Sequence, residues 1–464
     1  MKTTVSQAAV PVSKCPKSEI DFTTNVCGLV VFVGALALMA FNLQSVIAVT
    51  LWLRQLTGMP IDNITVMCLI AIAGGILTVV GIDIFVFRRH RTARVNGRAN
   101  LRRVAIKFLA LLAILGFGSI GYSTFPEYDG FYSRFFDAAL LFLPVILALT
   151  FIYFWYVDRV MEEPEDGYYH MGRLLLRYMT NDRRFTYDMA HVKELVRVWL
   201  IKLFFLPLMF CYLALEVENV IGFNYASLLD LSGTLNESTA SIYDFLFSLL
   251  YGIDLVFATC GYIMTLKLTN SEIRSAEPTL FGWLVCLVCY KPFVFVVFDQ
   301  YLQYNNGFYW GHWLQSVPLF YMLWAATIIG FIVIYTLASV SLGFRFSNLT
   351  YRGLSTSGVY RLTKHPAYVA KNITWWMISI PFIPAGDIVL AAKLCAMLVG
   401  VNLIYYWRAR TEENHLSNYP EYVAYANWMN EHGALAWLGR LVPYLRYDEE
   451  RAKRSGSVAW WRKV

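Results

Sequence analysis

Two polar clusters flank an apolar hairpin late in the chain. His365-Pro366-Ala367-Tyr368 precedes the hairpin, and Arg408-x-x-x-Glu412-Glu413-x-x-Leu416 follows it. Proline is favoured at the first position of a helix, where its missing N–H costs nothing. A helix starting at Pro366 therefore presents unpaired N–H groups and the positive end of its dipole, a site suited to a carboxylate or a phosphate. A helix ending in Arg408, Glu412 and His415 brings both signs of charge to the same face. This pairing suits a charged, water-soluble cofactor held beside a lipid-soluble substrate. Immediately upstream, the stretch from Arg352 to Lys364 is polar, contains Gly353 and Gly358, and can fold over a ligand. Taken alone, that loop and His-Pro-x-Tyr would be a basic anchor before a membrane span.

Asn402, Tyr405, Arg408, Glu412 and His415 are spaced 3, 3, 4 and 3 residues apart. On a helix they share a wedge of under half the circumference. A polar stripe on a membrane helix faces a cavity or another helix. Helix–helix hydrogen bonding with a snorkelling arginine gives the same pattern. Glu412-x-x-His415 also matches half of a di-iron helix motif, which needs a second such pair. The histidines are His90, His170, His191, His312, His365, His415 and His432, and none completes one. Cys286-x-x-Cys289 lacks a partner pair for zinc. No metal is expected.

The elements that carry these residues are membrane helices. Of 464 residues, 58% are hydrophobic and 15% charged, with mean hydropathy +0.49. A soluble fold of this size could not cover so much apolar surface. The apolar runs predict an all-α polytopic membrane protein of about ten spans. They fall at roughly 26–52, 64–87, 104–122, 136–157, 198–215, 241–266, 279–299, 314–343, 366–384 and 388–407. Arg88, Arg89, Arg91, Arg94, Arg98, Arg102 and Arg103 follow the second span. Arg159, Arg173, Arg177, Arg183, Arg184, Lys193 and Arg197 follow the fourth, whereas 216–240 and 300–313 have no Lys or Arg. This bias puts both termini and the late charged clusters on the cytoplasmic side. It also accounts for the net charge of +7, so nucleic acid is not an expected partner.

The first 25 residues read as the lead-in to an anchor rather than a signal peptide, since the apolar run beyond them is too long and no cleavage site follows. The eight cysteines read as reduced, apolar packing residues. The 158–197 loop opens with Glu162, Glu163, Glu165 and Asp166 near His170, a solvated acidic stretch, and continues as an amphipathic segment. Asp254 and Lys291 fall near mid-membrane on the antiparallel sixth and seventh spans. An isolated charge there costs about 2.5–3.5 kcal/mol, so the two are expected to pair or to line one polar cavity.

Together, residues from about 344 to 433 resemble the isoprenylcysteine carboxyl methyltransferase family and its phospholipid methyltransferase relatives. The matching residues are Gly358-Val-Tyr360, Lys364-His365-Pro366-Ala367-Tyr368, Arg408-x-x-x-Glu412-Glu413-x-x-Leu416 and Tyr422-x-x-Tyr425. They cover about a fifth of the chain. The resemblance implies S-adenosylmethionine held at the cytoplasmic end of the last spans. It implies cofactor contacts from Tyr360, His365, Pro366, Ala367, Tyr368 and Glu412, with Arg352, Gly353, Leu354 and Ser355 on a further cofactor-contacting stretch. Arg408 would sit beside the substrate, and His415 is the available base for an amine acceptor. Lys364 stands where the family usually has arginine, losing a bidentate fork.

The chain thus divides into an N-terminal membrane part, 1–310, with about seven spans and no assigned function, and a C-terminal part, 311–464, with the pocket. The expected activity is methyl transfer to a lipidic or lipid-attached acceptor, for which a carboxylate is well suited. A sterol-type reductase using NADPH shares a similar C-terminal arrangement and is the first alternative. A transporter or scaffold without chemistry is the second.

Overall fold

The computed structural model describes residues 14–87, 99–225, 234–305, 307, 309–382 and 387–456. Arg88, Arg89, Arg91, Arg94 and Arg98 of the expected basic loop, Pro384, and part of the 216–240 loop lie outside the described residues. The chain is almost wholly helical. The first helices are α1 (Phe22–Phe41), α2 (Leu43–Thr57), α3 (Asn63–Gly81), α4 (Leu101–Thr124), α5 (Ser133–Val160) and α6 (Gly167–Thr180). Next come α7 (Met189–Ile221), α8 (Leu235–Ile263), α9 (Leu280–Leu287), α10 (Trp310–Leu314) and α11 (Pro318–Leu342). The last are α12 (Pro366–Ser379), α13 (Ile388–Leu416), α14 (Pro420–His432), α15 (Ala436–Leu441) and α16 (Glu449–Gly456). Two short strands, β1 (Ser275–Ala276) and β2 (Thr350–Tyr351), pair antiparallel with Ser275 opposite Tyr351.

Local chemistry starts these helices where they start. Asp62 accepts the Thr65 N–H at 2.7 Å before α3, and Asp188 accepts that of Ala190 at 2.8 Å before α7. Thr234 and Glu237 form a reciprocal capping box on α8. Asp387 accepts from Val389 and Leu390 before α13. Caps of this kind are worth about 1 kcal/mol each.

Eight helical segments are long and apolar enough to cross a membrane: α1, α3 with its extension to Val86, α4, Gly130–Val160, α7, α8, Pro318–Arg345 and α13. The other two expected spans are interrupted. The segment at 279–299 is helical only to Leu287, and a π-helical stretch, Phe295–Tyr301, follows beyond Pro292, which cannot supply a helical N–H. The segment at 366–384 ends at Ser379, where Ile380 takes φ 33° before Pro381. Its 14 residues reach about 21 Å, short of a hydrocarbon core of about 30 Å. The first expected span is also divided, at Asn42, between α1 and α2.

α8 is the centre. It packs against α7 on one side and α11 on the other, and Gly252 to Tyr262 are buried in an unbroken run. A helix buried on all sides has no solvent or lipid face to keep polar or apolar. α5 is the opposite case: Leu140, Val145, Leu149 and Ile152 are exposed, as lipid-facing side chains are. The acidic 162–166 stretch is partly structural, since Asp166 caps α6 and lies 3.1 Å from the buried Lys107.

The expected pairing of Asp254 with Lys291 is not formed. Asp254 accepts hydrogen bonds from Tyr335, at 2.8 Å, and from Ser339, both on α11. Lys291 instead lies over the rings of Phe131, at 4.1 Å, and of Phe295 and Tyr212. The two charges thus meet different partners, hydroxyls of α11 for Asp254 and aromatic rings for Lys291.

Candidate functional site

One cleft collects most of the chemistry-bearing residues. α13 contributes Tyr405, Arg408, Glu412 and His415, and the start of α12 contributes His365, Ala367, Tyr368 and Lys371. The end of α11 adds Tyr335 and Ser339, and the loop after it adds Asn348. Glu277, Cys286 and Tyr290 close the far wall. Its mouth and the adjoining solvent included, the open space is about 960 Å³.

Glu413 organises the mouth from behind. It is 3% exposed, and its carboxylate meets Lys364 Nζ at 2.7 Å, His365 Nε2 at 3.3 Å and Arg410 Nη1 at 2.5 Å. These contacts join the loop before α12 to α13. His365 is thereby oriented, with its Nδ1 3.8 Å from Glu412 Oε2. Tyr368 donates to Glu412 at 3.1 Å. Glu412 is half-exposed and faces the opening. His365 stands at the N-cap of α12 without capping it, so the N–H groups of the first turn are left for another partner. Lower down, Asn402 accepts from Trp376 at 2.7 Å and donates to Asn372, so this member of the polar stripe joins α12 to α13 rather than lining the cleft.

Arg408 is buried, yet no carboxylate among the described residues pairs with it. Its Nη2 donates to Asn348 Oδ1 at 3.2 Å. Its guanidinium lies 5.1, 5.2 and 5.5 Å from the rings of Tyr368, Tyr405 and Tyr290. Rings stabilise a cation only partly, so the arrangement suits an anion in the cleft.

His415 is tied to the other half of the chain. Tyr419 donates to Ser275 Oγ at 2.6 Å, and Ser275 lies 2.8 Å from His415 Nε2. A hydroxyl both donates and accepts, so Ser275 can take the hydrogen of Tyr419 and bond the imidazole in either of its neutral forms. His415 Nδ1 is 3.8 Å from Glu277 Oε2. Burial pushes the Glu277 carboxyl above the usual range, although Thr279 donates to it and Arg197 lies nearby. Burial likewise pushes the Tyr360 phenol well up.

Not every expected residue lies in the cleft wall. Tyr360, His365, Ala367, Tyr368, Arg408, Glu412 and His415 do. Pro366 is buried at the first position of α12. Arg352, Gly353, Leu354 and Ser355 do not line the cleft. Arg352 donates to the carbonyls of Gly261 at 2.7 Å, Met264 at 2.6 Å, Ser271 at 3.0 Å and Phe346 at 3.2 Å. It fastens the loop to the end of α8, where an added Cβ on Gly261 would sit 2.1 Å from the Phe346 oxygen. Gly353 is at φ +107°, the Leu354 N–H donates to Glu19 at 3.1 Å, and Ser355 donates to the Ser341 carbonyl at 3.2 Å. Burial raises the Glu19 carboxyl, but Arg274 and that N–H hold it below the usual range.

Arg352→Lys is therefore expected to lower the melting temperature of the detergent-purified protein while leaving ligand contacts in place. An ammonium cannot reach four carbonyls in one plane, and each buried carbonyl left unpaired costs about 1–3 kcal/mol. An unchanged melting temperature would refute this structural role.

Glu277 and Tyr290 were not legible as site residues, because they precede the expected division at 310 and carry no motif, and Cys286 stood out only in a Cys-x-x-Cys pair without a partner for zinc. Lys371 had a weak signal: three residues after Tyr368, it shares a helix face with it. Among the described residues no group of three or more His, Cys, Asp or Glu side chains is placed to hold a metal.

The chain matches no curated protein and no solved structure. Residues 321–430, which take in nearly all of α11, all of α12 and α13 and most of α14, match the model of a family described as a protein of unknown function, DUF1295.

Proposed function

We propose that this membrane protein is an S-adenosylmethionine-dependent methyltransferase acting on a lipidic or lipid-attached acceptor, with the cofactor at the mouth of the cleft and the acceptor deeper in. The observation that carries this reading is the order of charges along one cleft. An uncapped helix start and a half-exposed carboxylate, Glu412, stand at the mouth, and a cation without a carboxylate partner, Arg408, stands below them. S-adenosylmethionine has a carboxylate, an ammonium and a sulfonium, and when bound it supplies an electrophilic methyl group.

The first turn of α12 suits the carboxylate, and Glu412 suits the ammonium. The rings of Tyr360 and Tyr368 line the same region and favour positive charge. Arg408 orients an anionic acceptor. A carboxylate acceptor needs no base, whereas an amine would give its proton to His415. The resemblance to isoprenylcysteine carboxyl methyltransferases supports the reading through the same residues, Tyr360, His365-Pro366-Ala367-Tyr368 and Arg408-x-x-x-Glu412. The Lys and Arg bias supports a cytoplasmic mouth.

Ligand-dependent melting of the detergent-purified protein tests it. At a hundred times its dissociation constant, a ligand adds about 2.7 kcal/mol. S-adenosylmethionine is expected to raise the melting temperature, and Glu412→Gln to weaken its binding about ten- to a hundredfold, the value of a charge-assisted hydrogen bond. A rise with NADPH and none with S-adenosylmethionine would make the protein a reductase. A rise with neither would leave no cofactor-dependent chemistry in the cleft.

A further inference from the structure

The membrane-side end of the cleft holds a second cation. Lys371 lies about 8 Å below the start of α12 at 1.5 Å per residue. Its Nζ is 5.4 Å from the Trp375 ring, 5.5 Å from that of Tyr335 and 5.9 Å from that of Tyr405. The Arg408 guanidinium is 5.2 Å from the same Tyr405 ring. Two like charges thus flank one aromatic side chain within a membrane bundle. Neither forms an ion pair with any described carboxylate.

One carboxylate acts on Lys371 from outside the wall. Asp254 on α8 is 5% exposed and is held by Tyr335 and Ser339, both of which line the cleft. Burial and Arg408 weigh against the charge on Lys371, and Asp254 and Cys289 favour it. Counting Arg408 and Lys371 against Asp254 leaves one positive charge. Glu412 and Glu277 lie toward the mouth and join neither cation. A buried charge without a partner costs several kcal/mol, and a wall that retains one is built for a ligand bearing the opposite sign.

We propose that Arg408 and Lys371 together form a binding site for the anionic head group of a membrane-soluble amphiphile, with Lys371 as the residue that selects for charge. The head group presents carboxylate or phosphate oxygens between the two cations, and its chain leaves toward the lipid. That this amphiphile is the methyl acceptor rests on the reading above; the anion site itself does not. Removing the lysine leaves the Asp254 carboxylate with its two hydroxyl donors.

The test measures binding of oleate, oleyl phosphate, oleyl alcohol and oleylamine to the full chain in a non-ionic detergent. At least one of the two anionic probes is expected to bind roughly tenfold or more tightly than the alcohol, and the amine no better than the alcohol. Oleate against oleyl phosphate distinguishes a carboxylate from a phosphate head. Lys371→Met is expected to reduce the anion preference about ten- to a hundredfold, the value of a charged hydrogen bond, and Lys371→Arg to keep it. The double variant Asp254→Asn with Lys371→Met removes both buried charges and is expected to show the same loss, which covers the case in which the single variant fails to fold. An unchanged preference in the methionine variants, or none in the natural protein, overturns the proposal. Selective anion binding without S-adenosylmethionine binding would sink the methyltransferase reading and leave this site standing. S-adenosylmethionine binding without anion selectivity would do the reverse.

Discussion

Glu413→Ala is expected to destabilise the protein by about 3–5 kcal/mol, the range for breaking a buried ion pair from one side. The carboxylate is 3% exposed and meets three nitrogen-bearing side chains. Its loss leaves Lys364 and Arg410 buried among Tyr447 and backbone carbonyls with no opposite charge, and it releases His365. Glu413→Gln keeps the volume and part of the hydrogen bonding, so it should fall between. The measurements are the melting temperature in detergent and protease cleavage between Arg352 and Lys364. The loop should become cleavable in the alanine variant, because Glu413 is what ties Lys364 and His365 to α13. A variant that melts with the natural protein would show that the three contacts add nothing net.

Arg408→Ala is expected to behave in the opposite way. Arg408 pairs with no carboxylate among the described residues, so its removal orphans no charge there. Its side-chain hydrogen bonds go to uncharged partners, Asn348, which also bonds to Tyr262, and Tyr290. The fold should therefore survive, and S-adenosylmethionine, which we propose α12 and Glu412 hold, should bind nearly as before. Turnover should fall by about a hundred- to a thousandfold, the loss seen when one preorganised charge-stabilising donor is removed. Transfer of a labelled methyl group from S-adenosylmethionine into membrane lipids, followed for both proteins, measures it. Normal turnover on the true acceptor would reduce Arg408 to a membrane anchor. Comparing the two variants separates a charge that holds the structure from one kept for a ligand.

Several features were determined by the sequence because they depend on short-range periodicity. Apolar runs of sufficient length become helices in lipid, where backbone groups must pair internally. Tyr405, Arg408, Glu412 and His415 share the cleft because residues three and four apart on one helix cannot point to opposite sides. His365, Ala367 and Tyr368 join them because Pro366 starts a helix beside that face. Tertiary structure alone decided the rest. Depth along a span follows from counting residues, but rotation about the helix axis does not, so Asp254 met Tyr335 and Ser339 on α11 while Lys291 met aromatic rings. The loop from Arg352 to Ser355 was drawn away from the cleft by carbonyls about 80 to 90 residues earlier, on Gly261, Met264 and Ser271. Glu277 and Tyr290, which belong to no motif, entered the site because the pairing of Ser275 with Tyr351 brings their segment beside α13. Such contacts depend on how separate elements pack, and no local pattern of residues encodes that packing.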